Sequence, residues 1–184
     1  MHQGELWQEY DQAGIPLASA GREPTLGNPK SGESTYVSNA IVWLYRKTDQ
    51  GLEVLFQKRS QKVDRNAGKW DVAAGGHINI NESIVDAAIR EAKEEIGATI
   101  NRDHLKLVVT TPSLFANLIM HEFICDYTGQ PDDFHFNDEE VSEVKWVPIS
   151  EFDDFIDQYA KDPLKEDIEI RSLIKKHIMA YGNH

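Results

Sequence analysis

Hydrophobic and polar positions between residues 36 and 59 read as two apolar runs split by a polar turn. Tyr36 to Tyr45 is rich in β-branched and aromatic residues, the pattern of a strand buried on both faces. Thr48-Asp49-Gln50-Gly51 is a turn, and residues 52–59 form a second strand that ends on the basic pair Lys58 and Arg59. A polar loop, 60–68, leads to a short third strand over residues 70–74, and the loop 75–81 carries two glycines. The period then changes. Val85, Ala88, Ala92 and Ile96 form an apolar stripe at helical spacing. Ser83 with Asp86 makes a capping box before it, and Gly97 suits a left-handed cap after it. A helix is therefore expected over 83–96.

Further strands are expected at 105–111, 118–127 and 143–148. Ser150 is expected to cap a short helix to about residue 159. A last helix is expected over 165–181, with Ile168, Leu173, Ile174 and Ile178 as core contacts. Trp43, Trp70 and Trp146 read as core. At the start, residues 5–20 read as a hairpin, with Leu6-Trp7 and Ile15-Pro16-Leu17 flanking the turn Asp11-Gln12-Ala13-Gly14. A glycine-, proline- and serine-containing loop, 21–35, follows it. Sheet strands separated by a central helix and closed by a terminal helix point to an α/β sandwich, expected as one domain over 1–184.

The chain has 184 residues and a formal net charge of -12. That balance argues against a nucleic-acid backbone or an anionic membrane as partner. It leaves phosphorylated small molecules open, because a bound divalent cation reverses the sign of a site. One cysteine, Cys125, rules out an intrachain disulfide and a cysteine-rich zinc site. The N-terminus lacks a basic region followed by an apolar run, and no stretch approaches the roughly 20 apolar residues of a membrane span. The expected location is the cytoplasm.

The candidate chemistry lies at 76–98. Glu91, Glu94 and Glu95 fall on neighbouring turns of one helical face. Like charges that close destabilise a bare helix; taken alone the triplet reads as a solvated helix face or as a site for a cation, of which Mg²⁺ is the simplest, since it takes carboxylates and substrate phosphates as ligands. Glu82 and Arg90 are eight apart on nearly the same side and read as a salt bridge bracing the loop.

Gly76, Glu82, Arg90, Glu91, Glu94, Glu95 and Gly97, at these intervals, resemble the Nudix box. Ala92 and Ala98 stand where the box usually has bulky aliphatics, a difference of packing. The stretch from Leu55-Phe56-Gln57-Lys58-Arg59 through Gly68-Lys69-Trp70-Asp71 to Gly75-Gly76-His77, with the hairpin, resembles the branch that includes isopentenyl-diphosphate isomerase. The resemblance extends over residues 5–158. It implies a Nudix-type α/β/α sandwich with a mixed sheet, a Mg²⁺ or Mn²⁺ requirement, and cleavage of an organic diphosphate. Glu91 and Glu95 are then the first choices as metal ligands, Glu94 a ligand or the base, and the carbonyl of Gly75 or Gly76 a further ligand. Glu122, beside Met120 and Ile124 by strand alternation, either faces the same cleft as another ligand or points to water at an edge. Glu140, in Asp138-Glu139-Glu140, sits where many Nudix hydrolases place a functional glutamate, and otherwise is an exposed acidic loop. His77 either touches phosphate or caps the loop. Lys58 and Arg59 are candidates for phosphate binding, with Arg65 and Lys69 weaker ones.

The isomerase activity does not carry over. Its cysteine belongs just before the Gly-His pair, where this chain has Ala74-Gly75. It also takes metal-ligating histidines from an early segment, and none occurs here between His2 and His77. The expected activity is hydrolysis of a nucleoside diphosphate derivative or other organic diphosphate by water. A non-catalytic diphosphate-binding or regulatory module is the alternative. The hairpin is a possible pairing surface for a homodimer.

Overall fold

Strand β3 (Tyr36–Thr48) is the axis of the molecule, and its alternating side chains feed two separate cores. The computed structural model describes residues 7–10, 16–21, 36–112, 117–129, 134–136, 139–162, 164 and 167–182. The turn expected at 11–14 lies outside them, as does all but the first residue of the loop expected at 21–35.

Two short strands precede the axis, β1 (Trp7–Tyr10) and β2 (Pro16–Gly21), antiparallel to each other as the hairpin expectation requires. β1 also pairs with the start of β3. β4 (Gly51–Arg59) follows β3 through the expected turn. The expected third strand is two strands, β5 (Trp70–Val72) and β6 (Ala74–His77), broken at Ala73. They part company: β5 pairs with β4 and β6 with β3. The double glycine expected in a loop is thus strand, with Gly75 opposite Ile41 and Gly76 opposite Ala40. After helix α1 (Ile84–Ile96) come β7 (Leu105–Pro112), β8 (Leu118–Asp126) and β9 (Val141–Pro148). β8 runs parallel to β3, while the remaining pairs are antiparallel, so the sheet is mixed.

Helices cover both faces. Ala40, Val42, Leu44, Leu55, Phe123 and Cys125 pack toward α1, against Ala88, Ala92 and Ile96. Ile41, Trp43, Tyr45, Val54, Phe56 and Ile124 point the other way, toward α2 (Phe152–Tyr159) and α3 (Ile168–Tyr181). This is an α/β/α sandwich, and the odd–even split along β3 is the period-2 rule acting on a strand buried on both sides.

The helix ends differ from expectation in instructive ways. α1 is as read: Ser83 accepts from the Asp86 amide, and Gly97 caps it at φ 71°. Ser150 does not cap α2; it lies in a 3₁₀ turn, Ile149–Glu151, that runs straight into the helix. α3 begins at Ile168, with Asp167 accepting from the Ile170 amide as its cap. Ile174 and Ile178 are buried and Leu173 half-buried, but Ile168 is 58% exposed, while Ile170 and Arg171 of the same turn face the core. Trp43 and Trp70 are core, and Trp146 is half-buried against the α1-side core.

Candidate active site

Helix α1 lays its carboxylates against the glycine pair of β6. Glu91 is 7% and Glu95 8% exposed, although both are acidic. The closeness depends on Gly76: a Cβ there would run into the Glu91 carboxylate. Gly75 donates its N–H to Glu95 Oε2 at 3.3 Å, and Gln57 Nε2 of β4 donates to the same oxygen at 2.7 Å. Burial, then the charge of Glu91, push the Glu95 carboxyl well above the usual carboxylate range; the bonds from Gln57 and Gly75 act against this without cancelling it. Two buried carboxylates side by side on a strand without side chains are an arrangement that a cation would stabilise.

Arg90 organises the rest. Its Nε reaches Glu82 Oε1 at 2.8 Å and its Nη2 reaches Glu82 Oε2 at 2.9 Å, so the expected salt bridge is a two-point fork. The same guanidinium also binds Glu91 Oε1 at 2.7 Å, Glu94 Oε2 at 2.9 Å and the His77 carbonyl at 2.8 Å. Glu82 closes the loop by accepting the Asn79 N–H at 2.9 Å. Burial raises the Glu82 carboxyl, but the bonds from Arg90 and Asn79 outweigh it and leave the net shift downward. Glu94 is the most open of the three clustered glutamates, Glu91, Glu94 and Glu95, with its side chain 35% exposed. Among the described residues no three His, Cys, Asp or Glu side chains converge tightly enough to form a ready-made cage. Arg90 holds Glu91 and Glu94, and Gln57 holds Glu95. The donor set still fits a hard divalent cation: buried carboxylates beside half-buried glycine backbone, with oxygen ligands throughout.

His77 is half-buried and stacks on Trp7, with ring centroids 3.8 Å apart. Burial and then Arg90 lower its pKa to about 4, so the ring is neutral at ordinary pH. Of the two roles expected for it, the position matches the structural one. Lys58 lies on the α2 side, 3.3 Å from Glu143 and over the Trp70 ring. Arg59 donates from Nε to the Arg65 carbonyl at 3.1 Å. Glu140 accepts the Ser60 N–H through its backbone carbonyl at 2.7 Å.

Glu122 is a correction. It does not join Glu91 and Glu95, because β8 turns it to the opposite face of the sheet. There Trp43 Nε1 donates to Glu122 Oε2 at 2.7 Å. Burial raises the Glu122 carboxyl to about 7 despite that bond. It lies in a pocket with Ile41, Asp71, Met120, Lys161 and Arg171. Asp71 and Lys161 pair at 2.6 Å there. Gln57 and Asp71 were not singled out in the sequence. Their signal is weak but present, a buried polar residue inside each of two apolar strands.

Known proteins point the same way. A NUDIX domain model matches residues 35–167, which contain the glycine pair, the acidic helix and all of their partners named above except Trp7. Nudix hydrolase 3 of Arabidopsis thaliana is 30% identical over 158 residues, 73% of this chain. Isopentenyl-diphosphate Delta-isomerase of Aliivibrio fischeri is 35% identical over 113 residues, 57% of this chain. The matches span only 20% and 61%, respectively, of those relatives. A crystal structure of a Deinococcus radiodurans protein superposes with a TM-score of 0.68 at 16% identity, covering 91% of this chain and 98% of that one. With its domain model spanning the sheet, the glycine pair and the acidic helix, the chain belongs to the NUDIX domain family.

Proposed function

We propose that the chain is a divalent-metal-dependent hydrolase that cleaves the diphosphate of a nucleoside diphosphate derivative or another organic diphosphate, by attack of water on phosphorus. The observation that carries this reading is the pair of buried carboxylates, Glu91 and Glu95, pressed against Gly75 and Gly76. Glu91 and Glu95, with a glycine carbonyl, would hold Mg²⁺ or Mn²⁺, and a bound cation supplies charge neutralisation on the phosphoryl oxygens. Glu94, the most open of the three, is placed to take a proton from water or to complete the ligand set. Arg90 ties Glu91 and Glu94 to Glu82 and the His77 carbonyl, through five polar contacts at 2.7 to 2.9 Å. The pocket at Glu122 lies across the sheet from this site, and Asp71 raises both the Glu95 and the Glu122 carboxyl electrostatically.

Cys125 weighs against isomerase chemistry. It is fully buried on β8, and burial followed by Asp126 pushes its thiol up to about 12. It is also the chain's one cysteine. The testing experiment is a panel of organic diphosphates incubated with Mg²⁺ or Mn²⁺, with release of phosphorylated product measured. Turnover that a chelator abolishes and either metal restores is expected. Tight diphosphate binding without turnover would favour a binding module, and allylic isomerisation of isopentenyl diphosphate would reinstate the isomerase.

A further inference from the structure

The segment that anchors Arg90 is itself held down by the first strand of the chain. β1 makes two sets of contacts. Glu9 and Tyr10 pair with Val37 and Tyr36 of β3. One step earlier, Gln8 donates its N–H to the Ile78 carbonyl at 3.3 Å, and Trp7 forms an antiparallel bridge with Asn79. The Trp7 indole then lies flat on the His77 imidazole, with centroids 3.8 Å apart and planes 10° from parallel.

Residues 77–79 carry both backbone anchors of the Arg90–Glu82 unit. The His77 carbonyl receives Arg90 Nη2, and the Asn79 N–H binds Glu82 Oε2. The buried Ile78 side chain pins the middle of this segment in the α1-side core, while the polar side chains around it add little. Trp7 Nε1, Ser38 Oγ, Asn39 Oδ1 and Asn79 Oδ1 are all buried with no hydrogen-bond partner. The backbone register brings them together: Asn39 is opposite His77, Trp7 is opposite Asn79, and Ile78 donates to the Ser38 carbonyl. With those polar atoms unpaired, the ring stack, the strand ladder and the buried Ile78 side chain set the position of His77, and the stack is the one of these that acts on the His77 ring itself. A ring has few rotatable bonds, so a stacked pair fixes a backbone segment at small entropic cost.

We propose that Trp7 is a positioning residue for the metal-binding carboxylates. Its stack on His77 holds the carbonyl that aims Arg90, and Arg90 in turn holds Glu91 and Glu94. The proposal rests on the reading of Glu91 as a metal ligand, and its test separates the two. In this role Trp7 acts through residues 77–79.

The test measures Mn²⁺ binding to the full chain by electron paramagnetic resonance of the free ion. The proteins are wild type, Trp7→Met, Trp7→Leu, Trp7→Phe and Glu91→Gln, each checked for fold by circular dichroism. Trp7→Met and Trp7→Leu keep apolar bulk without a ring, so either one that folds suffices. The expected result is a loss of Mn²⁺ affinity of up to about tenfold in these variants, the scale of one aromatic stack. Trp7→Phe should stay within about threefold of wild type. Unchanged affinity in a folded ringless variant, with affinity lost in Glu91→Gln, would overturn the positioning role alone. Unchanged affinity in both would overturn the ligand assignment and this inference with it. An equal loss in Trp7→Phe would also overturn it, since burial and not stacking would then be the cause.

Discussion

Replacing Glu122 by glutamine should change the pH dependence of stability, and the size of the change follows from its surroundings. The carboxyl is buried on the α3 side of the sheet and accepts from the Trp43 indole. Its pKa is about 7 in the folded chain against 4.5 for the free group. The folded chain therefore binds this proton more tightly than the unfolded chain does. Below pH 4.5 both states are protonated and the group costs nothing. Stability falls as pH rises from 4.5 to 7, and the loss is complete above that range. A difference of 2.5 pKa units, at about 1.4 kcal/mol each, gives about 3 kcal/mol of lost stability. Glutamine keeps the shape and an oxygen for the Trp43 N–H, and it does not titrate. Urea unfolding of both proteins from pH 4.5 to 8 is the assay. Constant costs of the new amide and all other titrations cancel in the difference between the two curves. That difference should move by about 3 kcal/mol in favour of Glu122→Gln across the range, equivalent to roughly 6 to 12 °C in Tm for a chain of this size. Parallel curves would show that Glu122 is not a buried acid and would refute the argument.

Other perturbations test the remaining contacts. Gly76→Ala puts a methyl where the Glu91 carboxylate sits, so turnover should fall by about tenfold or more with a stability loss of about 1 to 3 kcal/mol; steady-state kinetics and thermal melting check both. Arg90→Lys keeps the charge but loses the fork that joins Glu82, Glu91 and Glu94. A loss of about 2 kcal/mol or more is expected by chemical denaturation, because the buried carboxylates lose a paired donor. Ser83→Ala removes the α1 cap and should cost about 1 kcal/mol with catalysis little changed, which separates helix stability from site geometry.

What the sequence could convey depended on whether a feature is local. α1 was legible from end to end because its cap, stripe and terminal glycine all lie within fifteen residues of one another. Strand alternation correctly grouped Glu122 with Met120 and Ile124. It could not say which face α1 covers, so neither reading of Glu122, in the cleft of the helix carboxylates or pointing to water at an edge, matches its buried place on the opposite face. Gly75 and Gly76 looked like a loop because glycine is a poor strand former. They form β6 because pairing with Ile41 and Ala40, and the approach of Glu91, both favour a bare backbone. The Gln57–Glu95 contact joins residues 38 apart and leaves no periodic trace. Arg90 was read as one salt bridge, yet it makes three ion pairs, since spacing shows who is near and not how a five-donor group divides itself.

The central claim is that Glu91 and Glu95 hold the cation that makes water attack a diphosphate. The most direct measurement follows hydrolysis of an organic diphosphate in ¹⁸O-water with Mg²⁺, using wild type, Glu91→Gln and Glu95→Gln. The account predicts ¹⁸O in a phosphoryl product of the wild type. It also predicts turnover at least about a hundredfold lower in each variant, with both variants folded. Label appearing only on the organic fragment, or full turnover in both variants, would contradict it.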